Sequence, residues 1–212
     1  MTRRNDYPMS ELYSAYAAGS LDPAFALLVE TQAMLRPDLR ELVAASEAVS
    51  GALLETTEPA AMRAGALDCA MALIDALAPA APRARAIEDV SALPEPIRRA
   101  AGASSSWKAP VPGIRRMALE IDSPMHVELY RIEPGTVVPR HSHAGIELTL
   151  VVAGGFSDAL GSYGPGDLVV NGPDDTHRPV GDEGEACFAL ILRDGGLKFT
   201  GPLGVIQRLL GQ

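Results

Sequence analysis

The sequence predicts an α+β protein of two domains, a small bundle of about four helices followed by an all-β domain. Up to about Leu77, apolar residues recur three and four positions apart in stretches rich in Ala, Leu and Glu, which is typical of helices. After residue 104, short alternating segments separated by Gly, Pro and Asp predict strands. Residues 79–104, rich in Pro and Ala, predict a linker between domains at 1–78 and 105–212.

Capping and breaking residues predict the bounds of the helices. Ser10 can begin the first helix and Gly19 can end it, while Asp22-Pro23 supplies an N-cap followed by proline at the first helical position. Proline also breaks helices from within, so Pro37 separates the second helix from the third. We therefore expect helices over 10–19, 22–36, 37–55 and about 57–78, and a short one over 95–101 within the linker. Strands are expected over 125–132, 147–152, 167–170 and 187–192.

The charge and the apolar pattern of the chain argue against nucleic-acid binding and against a membrane span. The 212 residues include 18 Lys and Arg against 27 Asp and Glu, a net charge of −9, so the chain lacks the basic surface that direct nucleic-acid binding requires. No apolar run approaches the roughly 20 residues that span a membrane, and no signal sequence is recognisable, so we expect a cytoplasmic protein. The acidic excess is greatest in residues 1–78, which would complement a basic partner.

Three of the four histidines form a pattern typical of metal ligands. His141, His143 and Glu147 share one parity, so on a continuous strand their side chains would point to the same face. Ala144-Gly145 can interrupt that strand, and His177 would come from another. Three imidazoles and one carboxylate suit divalent zinc, iron, manganese, nickel or copper.

The residues around these candidate ligands resemble the two motifs of the cupin superfamily. The first motif is matched position by position from Gly135 through His141, His143 and Glu147 to Gly154, and the second more loosely from Gly166-Asp167 to His177, with Gly172 where proline is usual. This resemblance implies a double-sheet β-barrel that holds one divalent metal, for which we expect zinc. His126 lies outside both motifs, so we expect a structural or surface role for it.

The amino-terminal half resembles the helical domain of ChrR-type anti-sigma factors. The resemblance is carried by Ser14-Ala-Tyr-Ala-Ala-Gly-Ser-Leu21 and by Ala24-Phe-Ala-Leu-Leu-Val-Glu-Thr31, and by the order of helical domain and cupin. It implies that the protein sequesters an extracytoplasmic-function sigma factor, and releases it in response to singlet oxygen or peroxides sensed with the cupin. Homodimers that pair cupin sheets would be compatible with it.

One departure from that family concerns a second zinc site. The family's helical domain holds zinc through an early His and a His-x3-Cys-x2-Cys motif, but this sequence has Gln32, Arg36 and Leu39 at the motif positions and Tyr7-Pro8 near the early His. None of these side chains can replace the zinc ligands, so packing must replace the metal. The candidate core comprises Leu12, Tyr16, Phe25, Leu28, Leu35, Leu39, Leu42, Val49 and Leu53.

Two other functions are compatible with a metal-binding cupin. One is a metal-dependent, dioxygenase-like enzyme, for which His126, Glu128 and Tyr130 are candidate additional acids or bases in the barrel. The other is a non-catalytic ligand-binding cupin. Fold alone does not distinguish these functions from an anti-sigma factor, since cupins carry many activities.

Overall fold

The computed structural model describes residues 9–76, 90–102 and 106–199. The helices in these ranges are α1 (Met9–Ala17), α2 (Pro23–Leu35), α3 (Pro37–Glu55), α4 (Ala66–Ala76) and α5 (Glu95–Ala100). No helix among the described residues is long and apolar enough to cross a membrane. The strands are β1 (Lys108–Val111), β2 (Ile114–Ala118), β3 (His126–Ile132), β4 (His141–His143), β5 (Glu147–Ala153), β6 (Phe156–Ser157), β7 (Ser162–Tyr163), β8 (Leu168–Asn171), β9 (Thr176–His177), β10 (Val180–Gly181), β11 (Cys187–Arg193) and β12 (Leu197–Phe199).

The first three helices begin and end where local chemistry predicts. Gly19, with a φ of 66°, follows α1 in the left-handed conformation that ends many helices. The side chain of Asp22 accepts a hydrogen bond of 2.9 Å from the amide of Ala24, so it caps α2. Pro37 begins α3, because a proline at the first helical position gives up no helical hydrogen bond.

The predicted start of the fourth helix is wrong. The sequence predicts entry at about Thr57-Glu58-Pro59, whereas α4 begins at Ala66. Gly65 has a φ of 75°, a left-handed conformation that an α-helix cannot contain, so no helix runs from Pro59 through it. Residues 57–65 are also exposed, so no packing stabilises a helical turn there. The predicted carboxyl end at 77–78 lies outside the described residues.

The strands of the described residues form three antiparallel sheets. The largest has six strands in the order β1-β2-β3-β11-β5-β8, and the two smaller sheets have the orders β10-β6-β7 and β12-β4-β9. In the central strands β5 and β11 nearly every residue is buried, so both faces of the large sheet are covered. One face supports the helices and the other lines the inside of the β-domain.

The outer face of the large sheet packs against helices. Leu148, Leu150, Leu190 and Leu192 are fully buried in one cluster with side chains of α2 and α5. The predicted linker takes part in this cluster, because Val90, Leu93 and Ile97 lie in it, fully or almost fully buried. The described part of the linker is therefore packed against α2 and the sheet, whereas domain boundaries at 78 and 104 stay a prediction.

Three residues of the predicted helical core are exposed, which corrects the expectation for Leu42, Val49 and Leu53. These side chains lie on α3, which packs on α1 and α2 with one side only. The core between these helices is formed by Tyr13, Val29 and Val43, with the predicted Leu12, Tyr16 and Leu39 half-buried around them. Leu28 is fully buried as predicted, but it and Phe25 pack with the sheet and α5 rather than with α1 and α3.

Candidate metal centre

The four predicted ligands come from three strands that meet inside the β-domain. His141 and His143 stand on the same face of the short strand β4, and Glu147 begins β5 after the predicted interruption at Ala144-Gly145. His177 ends β9, which pairs with β4 so that His177 lies directly opposite His141. The pairing of β4 with β9 therefore places His177 of the second motif beside the ligands of the first motif.

The glycines of the two motifs shape the turns that lead to and from these strands. Gly154, after β5, has a φ of 62°, and a Cβ placed on it would lie 2.4 Å from the carbonyl oxygen of Ala186. Gly166, before β8, has a φ of 86°, and a Cβ there would lie 2.6 Å from Cγ of Arg36. At both positions a side chain would be strained by the positive φ, and at Gly154 it would also collide with the backbone of Ala186.

The donor atoms of these four residues converge on one point. One ligand atom from each of His141, His143, Glu147 and His177 lies within 4.8 Å of all the others. Nε2 of His141 and Nε2 of His177 are 3.0 Å apart. Two nitrogens bound to one ion at 2.0–2.1 Å each lie about 3 Å apart, so this spacing fits a shared metal.

Unpartnered buried nitrogens support the fit to a metal. Both ring nitrogens of His143 are buried without a hydrogen-bond partner. Nδ1 of His143 is 3.5 Å from Oε2 of Glu147, longer than a good hydrogen bond. Buried polar atoms are rarely left unpaired in proteins, so a bound cation would account for this cluster.

The tautomer of His141 is set by its neighbour in the chain. Nδ1 of His141 donates a 2.7 Å hydrogen bond to the carbonyl oxygen of Pro139. That bond places the proton on Nδ1 and leaves the lone pair of Nε2 directed at the other ligands. Metal-binding histidines are commonly oriented in this way.

The protonation states of the cluster also suit a divalent cation. Burial lowers the pKa of His141, and burial together with the neighbouring imidazoles lowers the pKa of His177 to about 4. Burial alone would raise the pKa of Glu147, but the imidazoles, foremost His143, hold it below its usual value. At neutral pH the site therefore presents neutral His141 and His177 and an anionic carboxylate, the forms that bind metals.

Three polar residues around the ligands were missed by the sequence analysis. Oδ2 of Asp158, buried without a hydrogen-bond partner, lies 3.5 Å from Nδ1 of His177. Thr149 donates a 3.3 Å hydrogen bond to Oε1 of Glu147, and the buried Asn171 is paired with Glu147 across β5 and β8. Thr149 is two residues from Glu147 on the same strand, so its position on the ligand face could have been predicted from the sequence. Asp158 and Asn171 belong to segments with no ligand-like spacing and could not.

The candidate acids and bases of the enzyme hypothesis occupy different places. Tyr130 lines the cavity beside the metal centre, and Glu128 lies next to it on the same face of β3. His126 is exposed at the start of that strand, in agreement with the expected surface role.

Comparison with known proteins identifies the family. The sequence model of the family described as the ChrR cupin-like domain matches residues 99–193. The anti-sigma-E factor ChrR of Cereibacter sphaeroides is 36% identical to this chain over 192 residues, which are 89% of each protein. The chain belongs to the ChrR family. The predicted resemblance is thereby confirmed, and the β-domain has the cupin fold that it implied.

One solved structure extends the match to both parts of this ChrR family member. The crystal structure of Rhodobacter sphaeroides SigE in complex with the anti-sigma ChrR matches with a TM-score of 0.69 and 34% identity, covering 87% of this chain and 96% of that one. An RmlC-like cupin from Ralstonia eutropha matches with a TM-score of 0.42 and 19% identity, covering 50% of this chain and 80% of that one.

The residues at the ChrR family's helical zinc positions make other interactions here. Nε2 of Gln32 donates a 3.1 Å hydrogen bond to the carbonyl oxygen of Gly166, and Oε1 accepts one of 3.3 Å from the hydroxyl of Tyr13. Arg36 is paired with Asp38 at 2.8 Å. Among the described residues, the cluster in the β-domain is the one group that could hold a metal ion, and Tyr7-Pro8 lies outside them.

Proposed function

We propose that this protein is an anti-sigma factor that holds an extracytoplasmic-function sigma factor inactive and releases it under oxidative stress sensed with the cupin. The observation that carries this proposal is the fold shared with a ChrR that was solved in complex with SigE. That similarity includes the helical part as well as the cupin, since it covers most of both chains. A sigma factor acts on RNA polymerase, so the encounter takes place in the cytoplasm.

The surface that we assign to the sigma factor is the apolar side of α3 and α4. Six aliphatic side chains on these helices are 59–72% exposed, namely Val49, Leu53, Leu54, Leu67, Leu73 and Ile74. Monomeric proteins rarely leave so many large apolar side chains in water, and such patches commonly bind other proteins. The same region of sequence is acidic, with 11 acidic against 5 basic residues in 1–78, which favours encounter with a basic partner.

We assign the metal centre to zinc, held by His141, His143, Glu147 and His177. Neutral imidazoles and a carboxylate are usual zinc ligands, and iron, manganese or nickel would fit the same donors. A bound divalent ion would hold the three contributing strands together at one point. A chemical change at these ligands would therefore alter the position of β5, which belongs to the sheet that packs against α2.

Co-purification tests this proposal directly. The tagged protein is co-expressed with the sigma factor encoded beside it, and the complex is analysed for stoichiometry and for metal. We expect a one-to-one complex with about one zinc per chain. Leu53→Glu should abolish the complex, because a charge on the apolar side of α3 cannot be desolvated against the partner.

A matched control distinguishes a binding surface from general damage. Leu160 lies on the loop between β6 and β7 and is 58% exposed, so Leu160→Glu makes the same change on the cupin. The complex should survive this substitution. Equal binding by the Leu53 and Leu160 variants would contradict the assigned surface, and failure of the wild-type protein to bind the sigma factor would contradict the anti-sigma function.

A second candidate function is a metal-dependent, dioxygenase-like cupin enzyme. It is favoured by the cavity that opens onto His141, Glu147 and His177, with the phenol of Tyr130 in its wall. Oxygen uptake by an iron-loaded sample in the presence of small diketones or thiols would support this activity. Binding of such compounds without turnover would instead indicate a non-catalytic ligand-binding cupin.

A further inference from the structure

The inside of the cupin contains a cavity of about 510 Å³ that reaches the metal centre. Cavities of several hundred Å³ are the size that small-molecule sites usually have. Its walls are largely apolar and are formed by alternate residues of the large sheet and by the smaller strands, among them Ile114, Ile132, Phe156 and Ile191. The transfer of an apolar ligand body from water into this cavity would therefore be favourable.

Two arginines project into this apolar cavity. Arg116 on β2 and Arg193 on β11 both line it, and the side chain of Arg193 is only 14% exposed. The carboxylate of Glu128 contacts both guanidinium groups: Oε1 is 3.5 Å from Nη1 of Arg116, and Oε2 accepts a hydrogen bond from Nη2 of Arg193. One carboxylate between two cations leaves one positive charge in excess.

Among the described residues that line the cavity, the remaining charged one is Glu147, a member of the metal centre. Its negative charge faces the three imidazoles, and a divalent ion there would more than neutralise it. The charge available to a ligand in this cavity is therefore positive. The side chain of Arg193 is largely buried, so solvent screens its charge poorly, whereas Arg116 is 39% exposed and its charge is screened more.

We propose that this cavity binds a small amphipathic carboxylate, with its apolar body between Ile132, Phe156 and Ile191 and its anionic head on Arg116 and Arg193. Guanidinium groups offer several N–H donors in one plane and bind carboxylates in pairs of hydrogen bonds, so two arginines can serve both Glu128 and a second carboxylate. A cationic ligand is repelled, and a neutral one leaves the excess charge uncompensated. This site does not depend on the proposed anti-sigma function.

Calorimetric titration of the zinc-loaded full chain tests the proposal with three probes of one chain length. Octanoate supplies the apolar body and the carboxylate, 1-octanol supplies the body alone, and octylammonium supplies the opposite charge. We expect octanoate to bind at least about tenfold more tightly than octanol, and octylammonium not to bind.

Two neighbouring arginines on β2 provide matched variants. Arg116→Gln should weaken octanoate binding about tenfold or more while leaving octanol unchanged, because it removes a charged donor and retains the shape of the side chain. Arg115→Gln removes the same charge from an exposed position on the opposite face of the strand and should change neither affinity. Three results would each overturn the proposal: equal affinity for octanoate and octanol, the same loss of octanoate affinity in both variants, or no binding of octanoate. None of these results bears on sigma binding.

Discussion

Asp158 contributes a buried carboxylate 3.5 Å from Nδ1 of His177, on the side of the ring opposite the nitrogen that meets His141. The other oxygen of Asp158 accepts hydrogen bonds from the amides of Leu160 and Gly161, which hold the side chain in place. A carboxylate behind a metal-binding imidazole orients the ring and raises its basicity. At 3.5 Å this contact is longer than a good hydrogen bond, so we expect Asp158 to act on His177 mainly through its charge.

Asp158→Asn should weaken zinc binding roughly 10- to 100-fold, because an amide keeps the shape but not the charge behind His177. Competition with a chromogenic chelator measures this affinity. Asp174→Asn, an exposed change in the turn before β9, is the control and should leave the affinity unchanged. Unaltered binding in the Asp158 variant would mean that its carboxylate does not support the imidazole.

The metal-free protein should lose stability as the pH falls from about 6.5 to about 4. The pKa of His177 is lowered from 6.5 to about 4 by burial and by the neighbouring imidazoles. The unfolded chain therefore takes up a proton in this interval while the folded chain does not, so acid favours unfolding by up to about 1.4 kcal/mol per pH unit for this group.

Urea unfolding of chelator-treated protein across this pH range gives the slope. His177→Gln should show a shallower fall, whereas His126→Gln, which changes an exposed histidine, should retain the full fall. Identical slopes for wild type and His177→Gln would assign the acid sensitivity to other groups.

At the level of elements, helix α2 is attached to the cupin at both ends. Near its start, the hydroxyl of Ser123 donates a 2.7 Å hydrogen bond to Asp22. Near its end, Nε2 of Gln32 donates a hydrogen bond to the carbonyl oxygen of Gly166. In the same turn, Oδ1 of Asp167 lies 3.7 Å from Nη1 of Arg36. The resemblance predicts that Gln32 and Arg36 stand at zinc-ligand positions of the family, so we expect these polar contacts to take the place of a structural metal.

Gln32→Ala should lower the free energy of unfolding by about 1–3 kcal/mol, because it leaves the buried carbonyl of Gly166 and the hydroxyl of Tyr13 without their partner. The midpoint of urea unfolding measures this change. Met34→Ala, on an exposed position of the same helix, should change stability by less than about 0.5 kcal/mol. A similarly small effect at Gln32 would show that packing alone replaces the metal.

The helices illustrate how far an element can be predicted from its own sequence. Prolines 23 and 37 and Gly19 act on the backbone locally, so the bounds of α1 to α3 were predicted closely. The buried side of α3 was predicted less well, because Leu42, Val49 and Leu53 are as apolar as Val43. Which of them is buried depends on where α1 and α2 lie, and that information is not local.

For the whole molecule, the large sheet connects the metal centre with the helices. Glu147 begins β5 and points inward, while the next residue, Leu148, points outward into the cluster that contains Leu27 and Leu28 of α2. A change at the metal centre is thus one residue away from the packing of α2. Such a short path is consistent with coupling between the cupin and the helical part, since only about 1.4 kcal/mol changes sigma affinity tenfold.

His141→Ala should abolish the release of the sigma factor by singlet oxygen or organic peroxides while leaving the resting complex intact. The substitution removes one ligand from the metal centre but touches nothing on the apolar side of α3 and α4. Pull-down of the sigma factor before and after exposure measures both properties, with His126→Gln as the control that should respond normally. Loss of the resting complex in the His141 variant would mean that the metal centre serves as structural support.

The sequence by itself determined the class of the protein, the order of its parts and the four residues that converge in the cupin. These features depend on spacing along the chain: the parity of His141, His143 and Glu147, the motif glycines and the local breakers of helices. The tertiary structure alone decided that α2 and residues 90–97 pack on the outer face of the sheet, that Asp158 stands behind His177, and that Arg116 and Arg193 share Glu128. Each of these contacts joins residues distant in the chain. An apolar or charged side chain could pair with many others of its kind, and only the tertiary structure determines which of them lies next to it.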